Sequence, residues 1–436
     1  MKRSALLFAV LASLSACGWF GGKDKVPLPG ERISVLSLDR ELTPDPNLAK
    51  IAITLPRPQL DKDWPEAGGY PDHAMYHLAL PEALTKAWQE SIGTGASDNT
   101  RILSEPVIDH GRVYAIDGRD RAGAFDAQTG KRLWQVDLKP KGQKGHSFGG
   151  GVAFWQGRLF VSTGYAQVLA LDPASGKVIW RKDVAAPIYA APTVADGRVF
   201  VVTVENELDV LAADDGRRLW SHNGLPETAG LLGGASPAVA GEVVVVAYSS
   251  GELFALTVQN GRALWSDNLA GTRGVDAVSS LADIRGRPVI DRDRVFAVSH
   301  SGRTQAIDLR TGERVWGQQI GSMHGPWVAG DYVYLLSNDN ELVCLTRNEG
   351  KVRWVLQLPS WENEKKKADP IMWAGPVLGG NRLIVLSSNR QALAVSPYTG
   401  KPLGRIRIEA GSYLEPVIAD DTLYILSDDG TLAAYR

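Results

Sequence analysis

Residues 105–138 read EPVIDHGRVYAIDGRDRAGAFDAQTGKRLWQVDL, and residues 151–184 read GVAFWQGRLFVSTGYAQVLALDPASGKVIWRKDV. Both stretches run through one phrase: a short apolar strand, a turn ending in Gly, a β-branched strand, a polar turn, a strand ending near Ala-x-Asp, a Thr-Gly or Ser-Gly turn, and a strand carrying Trp. Further copies begin near Ala191, Ser236, Arg287, Gly325, Gly375 and Glu415. Four short strands recurring at roughly 40 to 50 residues are the pattern of propeller blades. Length alone would suggest two or three domains; the repetition instead predicts a single all-β ring over residues 63–436.

The Trp near the end of each copy falls at Trp134, Trp180, Trp220, Trp265, Trp316 and Trp354, with Gly404 where a seventh would stand. The last copy stops at Arg436, before its Thr-Gly turn and fourth strand. Upstream, Leu84–Glu90 has the fourth-strand pattern with Trp88 but no first three strands. Joining the two completes an eighth blade and leaves no free edge, so the expectation is an eight-bladed β-propeller closed by an N-terminal strand. Seven blades with an odd strand, or a solenoid, are the alternatives.

The first residues carry a different message. Met1-Lys2-Arg3, the apolar run Ala5–Leu14 and the small residues Ser15 and Ala16 read as a signal peptide over 1–16, too short to span a bilayer. Leu14-Ser15-Ala16-Cys17 resembles the bacterial lipobox, which implies a lipid on Cys17. Gly18, in place of an Asp, then favours the outer membrane, periplasmic face. Residues 17–62, with prolines at 27, 29, 44, 46, 56 and 58, read as an extended tether, in which Ile33–Leu36 could add an edge strand.

Little else points to chemistry. Cys17 and Cys344 are the two cysteines, and lipidation of the first leaves the second without a partner. Cys344 takes the Ala position of its copy, which suits a small buried side chain. Gly145–Gly151 lacks the Gly-Lys-Ser/Thr of a phosphate loop. The histidines are scattered, with His73 and His77 alone at i, i+4, and no cluster has metal spacing, so no metal and no cofactor are expected. Lys365-Lys366-Lys367 reads as a solvated loop. A formal net charge of −2, lowered further once Lys2 and Arg3 are cleaved away, gives no footprint for nucleic acid.

Ala124, Asp126, Thr129, Gly130, Trp134 and Ala306, Asp308, Thr311, Gly312, Trp316 match A-x-D-x-x-T-G-x-x-x-W in full. This resembles the tryptophan-docking motif of PQQ-type quinoprotein propellers, which implies that Trp88, Trp134, Trp180, Trp220, Trp265, Trp316 and Trp354 are structural. The pyrroloquinoline quinone dehydrogenases of that fold have an adjacent cysteine pair over the quinone and a calcium ion beside it. This sequence has no such pair. The whole chain, from lipobox to the closing Asp429–Tyr435 strand, more nearly resembles the family of the outer-membrane protein assembly factor BamB. That resemblance implies a non-enzymatic scaffold that binds the periplasmic POTRA domains of the barrel insertase BamA. The family's two contact loops correspond to Gly230–Pro237 and Ser279–Pro288, making Leu231, Leu232, Asp283 and Arg285 the candidate partner-binding residues. Leu232 and Arg285 depart from the family's charge pattern there. A propeller binding a small ligand or glycan in its channel is a third reading.

Overall fold

Third strands such as Arg121–Asp126 and Gln167–Leu171 are apolar at successive positions and buried through most of their length, so both faces must be covered. Stacking blade against blade does this. The structure, a computed structural model, describes residues 42–227, 230–271 and 282–436. Among the described residues there are eight four-stranded sheets. Seven use consecutive strands over 107–137, 151–183, 193–223, 238–268, 289–318, 327–357 and 373–407, numbered here blades 1 to 7. Blade 8 takes three strands from 417–435, and its fourth is Lys86–Ser91. Trp88 lies opposite Ala434, and Thr85 and Arg436 exchange two backbone hydrogen bonds of 2.7 and 2.9 Å. The propeller is therefore closed by its N-terminal strand, as the repeat pattern predicts.

A single cross-strand row explains the motif. In blade 1, Tyr114 pairs with Ala124, and Ala124 with Trp134. In blade 2 the row is Phe160–Ala170–Trp180, in blade 6 Tyr334–Cys344–Trp354, and in blade 8 Tyr424–Ala434–Trp88. The middle residue must be small because two large rings flank it, 5.9 to 6.2 Å apart between centroids. Cys344 is fully buried in that slot, and burial pushes its thiol pKa up, so it behaves as a packing residue. A bulge just before each Trp turns the preceding residue outward, which accounts for exposed Leu133, Ile179, Leu264 and Val315.

Residues 43–85 depart from expectation. Part of the stretch read as tether lies on the ring: Asp45 N–H donates to Val352 O at 2.8 Å, Arg353 donates to Ile51 O, and Ile53 joins the core. The next residues form a belt around the axis. Asp61 O accepts from Asp420 N of blade 8, Trp64 pairs with Ile108 of blade 1, and Pro65 O accepts from Phe154 N of blade 2. Glu66 Oε1 accepts from Val194 N of blade 3 at 2.9 Å, and Pro71 O and Asp72 O take Val239 N and Ile290 N of blades 4 and 5. Tyr76 O accepts the Trp327 indole N–H of blade 6 at 2.7 Å, and Leu78 bonds Leu378 and Gly380 of blade 7. First strands end here with buried N–H groups that need acceptors, and the belt supplies them. The first blade strand is Lys86–Ser91, within the Leu84–Glu90 stretch read as a fourth strand, and residues 63–85 contribute the belt. Ile33–Leu36, the expected edge strand, lies outside the described residues, as does Cys17. The lysine run 365–367 is the exposed turn of a small hairpin, Trp361–Asn363 with Ala368–Pro370, a solvated loop as the sequence suggests.

Candidate functional site

The seven indoles dock identically. Trp88, Trp134, Trp180, Trp220, Trp265, Trp316 and Trp354 donate their N–H to Ala127, Pro173, Ala213, Val258, Leu309, Arg347 and Pro397 of the next blade at 2.7–3.0 Å. The acceptor is always the residue just after the third strand's Asp position. Over each indole lies the turn glycine of that next blade, at φ near +70°, where an added Cβ would come within 2.5–2.7 Å of an atom already there. Asp126, Asp172 and Asp308 fix the turn by accepting from the Thr or Ser hydroxyl and backbone N–H three residues on, which holds their carboxyls below the usual range. These tryptophans stack on protein.

The belt occupies the face where first strands end, so the loops that lead into first strands emerge on the opposite face. There the loop before Pro237 meets the loop before Pro288. Leu231 N–H donates to Asp283 Oδ2 at 2.7 Å, and Arg285 Nε donates to Leu232 O at 2.9 Å. Arg285 also reaches Met323 O at 3.3 Å. Leu232 is 40% exposed and Leu225 60%, while Leu231 is half-buried over a cavity of about 190 Å³ shared with Tyr189, Val204 and Asn206. Asp283, a candidate partner-binding residue, is only 5% exposed, and burial pushes its carboxyl up against the pull of Leu231 N–H and Arg285. It cannot act as a rim charge, because its oxygen faces the leucine loop and not solvent. Asp283 and Arg285 hold the loop that displays the leucines.

The axis carries charges that strand periodicity does not reveal. Arg287 reaches Glu105 at 2.9 Å and Glu415 at 2.6 Å, and His324 Nδ1 lies 3.3 Å from Glu415. Burial opposes ionisation of Glu415, but Arg287 and His324 outweigh it and hold its pKa down to about 2. From the belt, Gly68 N–H donates to Glu105 Oε1 at 2.9 Å and His73 Nδ1 to Pro288 O at 2.7 Å. A signal for this cluster exists: Glu105, Arg287 and Glu415 each stand just before Pro-Val in their copies. Asp63 of the belt, with Asp109 and His110, forms a group whose ligand atoms lie within 4.8 Å of one another, which the spacing did not suggest. Its present contacts pin the belt to blade 1, His110 N–H donating to Asp63 at 3.0 Å.

Known proteins of the same shape include assembly factors and enzymes. BamB from Moraxella catarrhalis superposes with a TM-score of 0.69 over 81% of this chain and 100% of that one, at 20% identity. The quinohemoprotein alcohol dehydrogenase of Comamonas testosteroni superposes at 0.66 over 86% and 80%, at 15% identity. Both establish the fold alone. In sequence, the outer membrane protein assembly factors BamB of Yersinia pestis and Escherichia coli are 29% and 28% identical, each over 80% of this chain and 88% of their own. The family model described as outer membrane protein assembly factor BamB matches residues 118–356 and 360–436, most of the ring, and the chain belongs to that family.

Proposed function

We propose that the protein is a non-enzymatic scaffold of the machinery that assembles β-barrel proteins in the outer membrane, held at the periplasmic face by a lipid on Cys17. Its partner surface is the pair of loops at Leu231–Leu232 and Asp283–Arg285, which receives the POTRA region of a BamA-type insertase. The observation that carries this reading is the cross-loop tie. Asp283 and Arg285 clamp the backbone of two leucines in a glycine-rich loop; Leu231 and the exposed Val204 line the cavity there, and Leu232 of the same loop is exposed. An apolar centre held in a fixed shape is what a protein interface needs. The axis argues against a quinone enzyme. The place for a ligand in the channel is taken by Arg287 between two glutamates and by belt residues, and a Cβ on Gly68 would already lie 2.9 Å from Arg287.

The test is co-purification from detergent-solubilised envelopes with Leu232→Asp. Loss of the insertase with an unchanged melting temperature supports the site, since a charge costs little in solvent and much in an interface. Full binding by a folded Leu232→Asp protein would move the interface elsewhere.

A further inference from the structure

On the leucine face each blade turns from its second to its third strand. In blades 1, 3 and 6 the turn is residues 117–120, 203–206 and 337–340, and its last residue, at positive φ, is Asp120, Asn206 or Asn340. Asn206 shows what the place is for. Its side-chain oxygen accepts Ser249 N–H of blade 4 at 3.0 Å, its amide donates to Leu225 O at 2.7 Å, and its own carbonyl accepts Gly224 N–H at 2.8 Å. One side chain thus joins the next blade to the loop that leaves the fourth strand. Blade 1 keeps this frame, with Leu138 N–H on Asp120 O at 3.2 Å, so Lys139 and Gly164 stand in register with Leu225 and Ser249. The side chain differs: an acid fills the slot of an amide that donates as well as accepts.

Asp120 is wholly inaccessible, and as a carboxylate it makes no well-formed hydrogen bond. The cations around it are bonded elsewhere: Arg121 to Asp117 and Thr94, Arg181 of blade 2 to Leu138 O and Gln167, and Lys139 to Gly145 O. Burial, with Asp117 and Asp137 adding repulsion against the pull of Gly164 N–H, raises its pKa from 3.8 to about 7. The Tyr165 hydroxyl of blade 2, itself raised by burial, is the remaining titratable group that feels Asp120. A neutral carboxyl can donate to a carbonyl as the Asn206 amide does; an ionised one cannot.

The seam closed by Asp120 reaches the leucine loops. Gly164 lies so close to Phe148 that an added Cβ would come within 2.2 Å of Phe148 O, and Ser147 N–H donates to the Tyr165 hydroxyl at 3.2 Å. Phe148 stacks on Tyr189 with centroids 5.8 Å apart, and Tyr189 walls the cavity under Leu231. We propose that Asp120 is a proton-operated latch: as the neutral acid it ties the loop of residues 139–150 across blades 1 and 2, and on ionisation it frees that loop and loosens the Phe148–Tyr189 wall of the leucine site. The effect on a partner rests on the leucine-loop reading; the latch itself does not.

Opening returns the carboxyl to water and to its ordinary 3.8, so between pH 3.8 and about 7 the closed form holds a proton that the open form has released. Closure therefore weakens as pH rises through that window, by up to about tenfold per unit, and no further above it. The measurement is amide exchange of Leu138 and Ser147 in the full-length protein, taken as a ratio to Asp120→Asn at the same pH so that intrinsic exchange cancels. Asparagine should hold the seam at every pH, as Asn206 does, and the ratio should rise at least about tenfold from about pH 5 to about pH 8. A flat ratio overturns the latch. Carbon-13 shifts of the Asp120 carboxyl in the wild type read the same group without a variant: titration near 7 supports the proposal, and titration near 3.8 overturns it. In pull-downs from solubilised envelopes the wild type should retain less insertase than Asp120→Asn at about pH 8, with the shortfall shrinking towards about pH 5. Equal retention at the higher pH, beside a raised exchange ratio, overturns the link to the leucine loops. Full binding by Leu232→Asp would remove the leucine-loop reading alone, and the exchange ratio would still decide the latch.

Discussion

The carboxylate of Asp283 accepts the backbone N–H of Leu231 at 2.7 Å, across the gap between the loops that enter blades 4 and 5. Its energetic role is that of a buried acceptor, which costs about 1–3 kcal/mol to remove when its donor is left unpaired. Asp283→Ala should therefore loosen the leucine loop and weaken partner co-purification by the same margin at low and high salt, while Asp283→Asn, which keeps an acceptor, should do less. A defect that appears only at low salt would restore Asp283 to the interface rim.

Trp88 gives the sharpest test of closure. Its side chain is buried and its N–H donates to Ala127 O at 3.0 Å, so Trp88→Ala should destabilise the protein by about 3–5 kcal/mol in denaturant unfolding. Trp88→Phe should cost less, since it keeps most of the area and loses the hydrogen bond. A loss under about 1 kcal/mol for the alanine variant would mean the closing strand is not buried.

The belt should count as core. Trp64 and Leu78 are almost wholly inaccessible, and a variant lacking residues 61–80 should lose upwards of about 4 kcal/mol, the scale of deleting two large core side chains. Hydrogen exchange of the first-strand amides of Ile108, Phe154 and Val239 should rise together. Unchanged protection at those three amides would show that the belt is dispensable.

His73 sets a pH dependence. Burial, helped by the nearby Arg287, pushes its pKa from 6.5 down to about 3. Below pH 6.5 the unfolded chain binds a proton that the folded protein refuses, so this contribution to stability is complete above 6.5 and is lost as pH falls towards about 3. Glu66, whose carboxyl is raised by burial, changes stability in the opposite sense and is unaltered in a His73→Gln variant. The wild type's stability relative to His73→Gln should accordingly drop by up to about 1.4 kcal/mol per pH unit below 6.5. A difference that stays flat from neutral pH to about 5 would mean that His73 protonates freely within the fold.

Cys17→Ala should leave the signal peptide uncleaved or the protein absent from the outer-membrane fraction. Normal processing and unchanged fractionation would refute lipid anchoring.

The ring itself was legible because a propeller writes its packing into sequence again and again. Ala, Trp and the Thr-Gly turn recur since each is forced by the same row and the same neighbour, so even Cys344 in place of Ala could be read. The belt was not legible for the opposite reason. Its partners are mostly backbone N–H groups of different strands, which ask for carbonyls and not for particular side chains, and its prolines suggest a linker. Asp283 misled because an acid in a loop is usually solvated, and only the fold brings Leu231 N–H to it. Glu105, Arg287 and Glu415 could have been found by setting the copies in register, since the residue before Pro-Val turns to the axis in each.

The belt and the closing strand also impose an order on assembly. Residues 61–91 are the first of the ring to be synthesised, yet their partners extend to blade 8 and Arg436. They must wait through the synthesis of the whole molecule, since a contact made early with blade 1 alone leaves most of their acceptors idle. A chain that stops short of its last residues cannot seat the closing strand, and is left with Trp88 uncovered for proteases and chaperones to find. Completion of the polypeptide and completion of the fold are thereby made a single event.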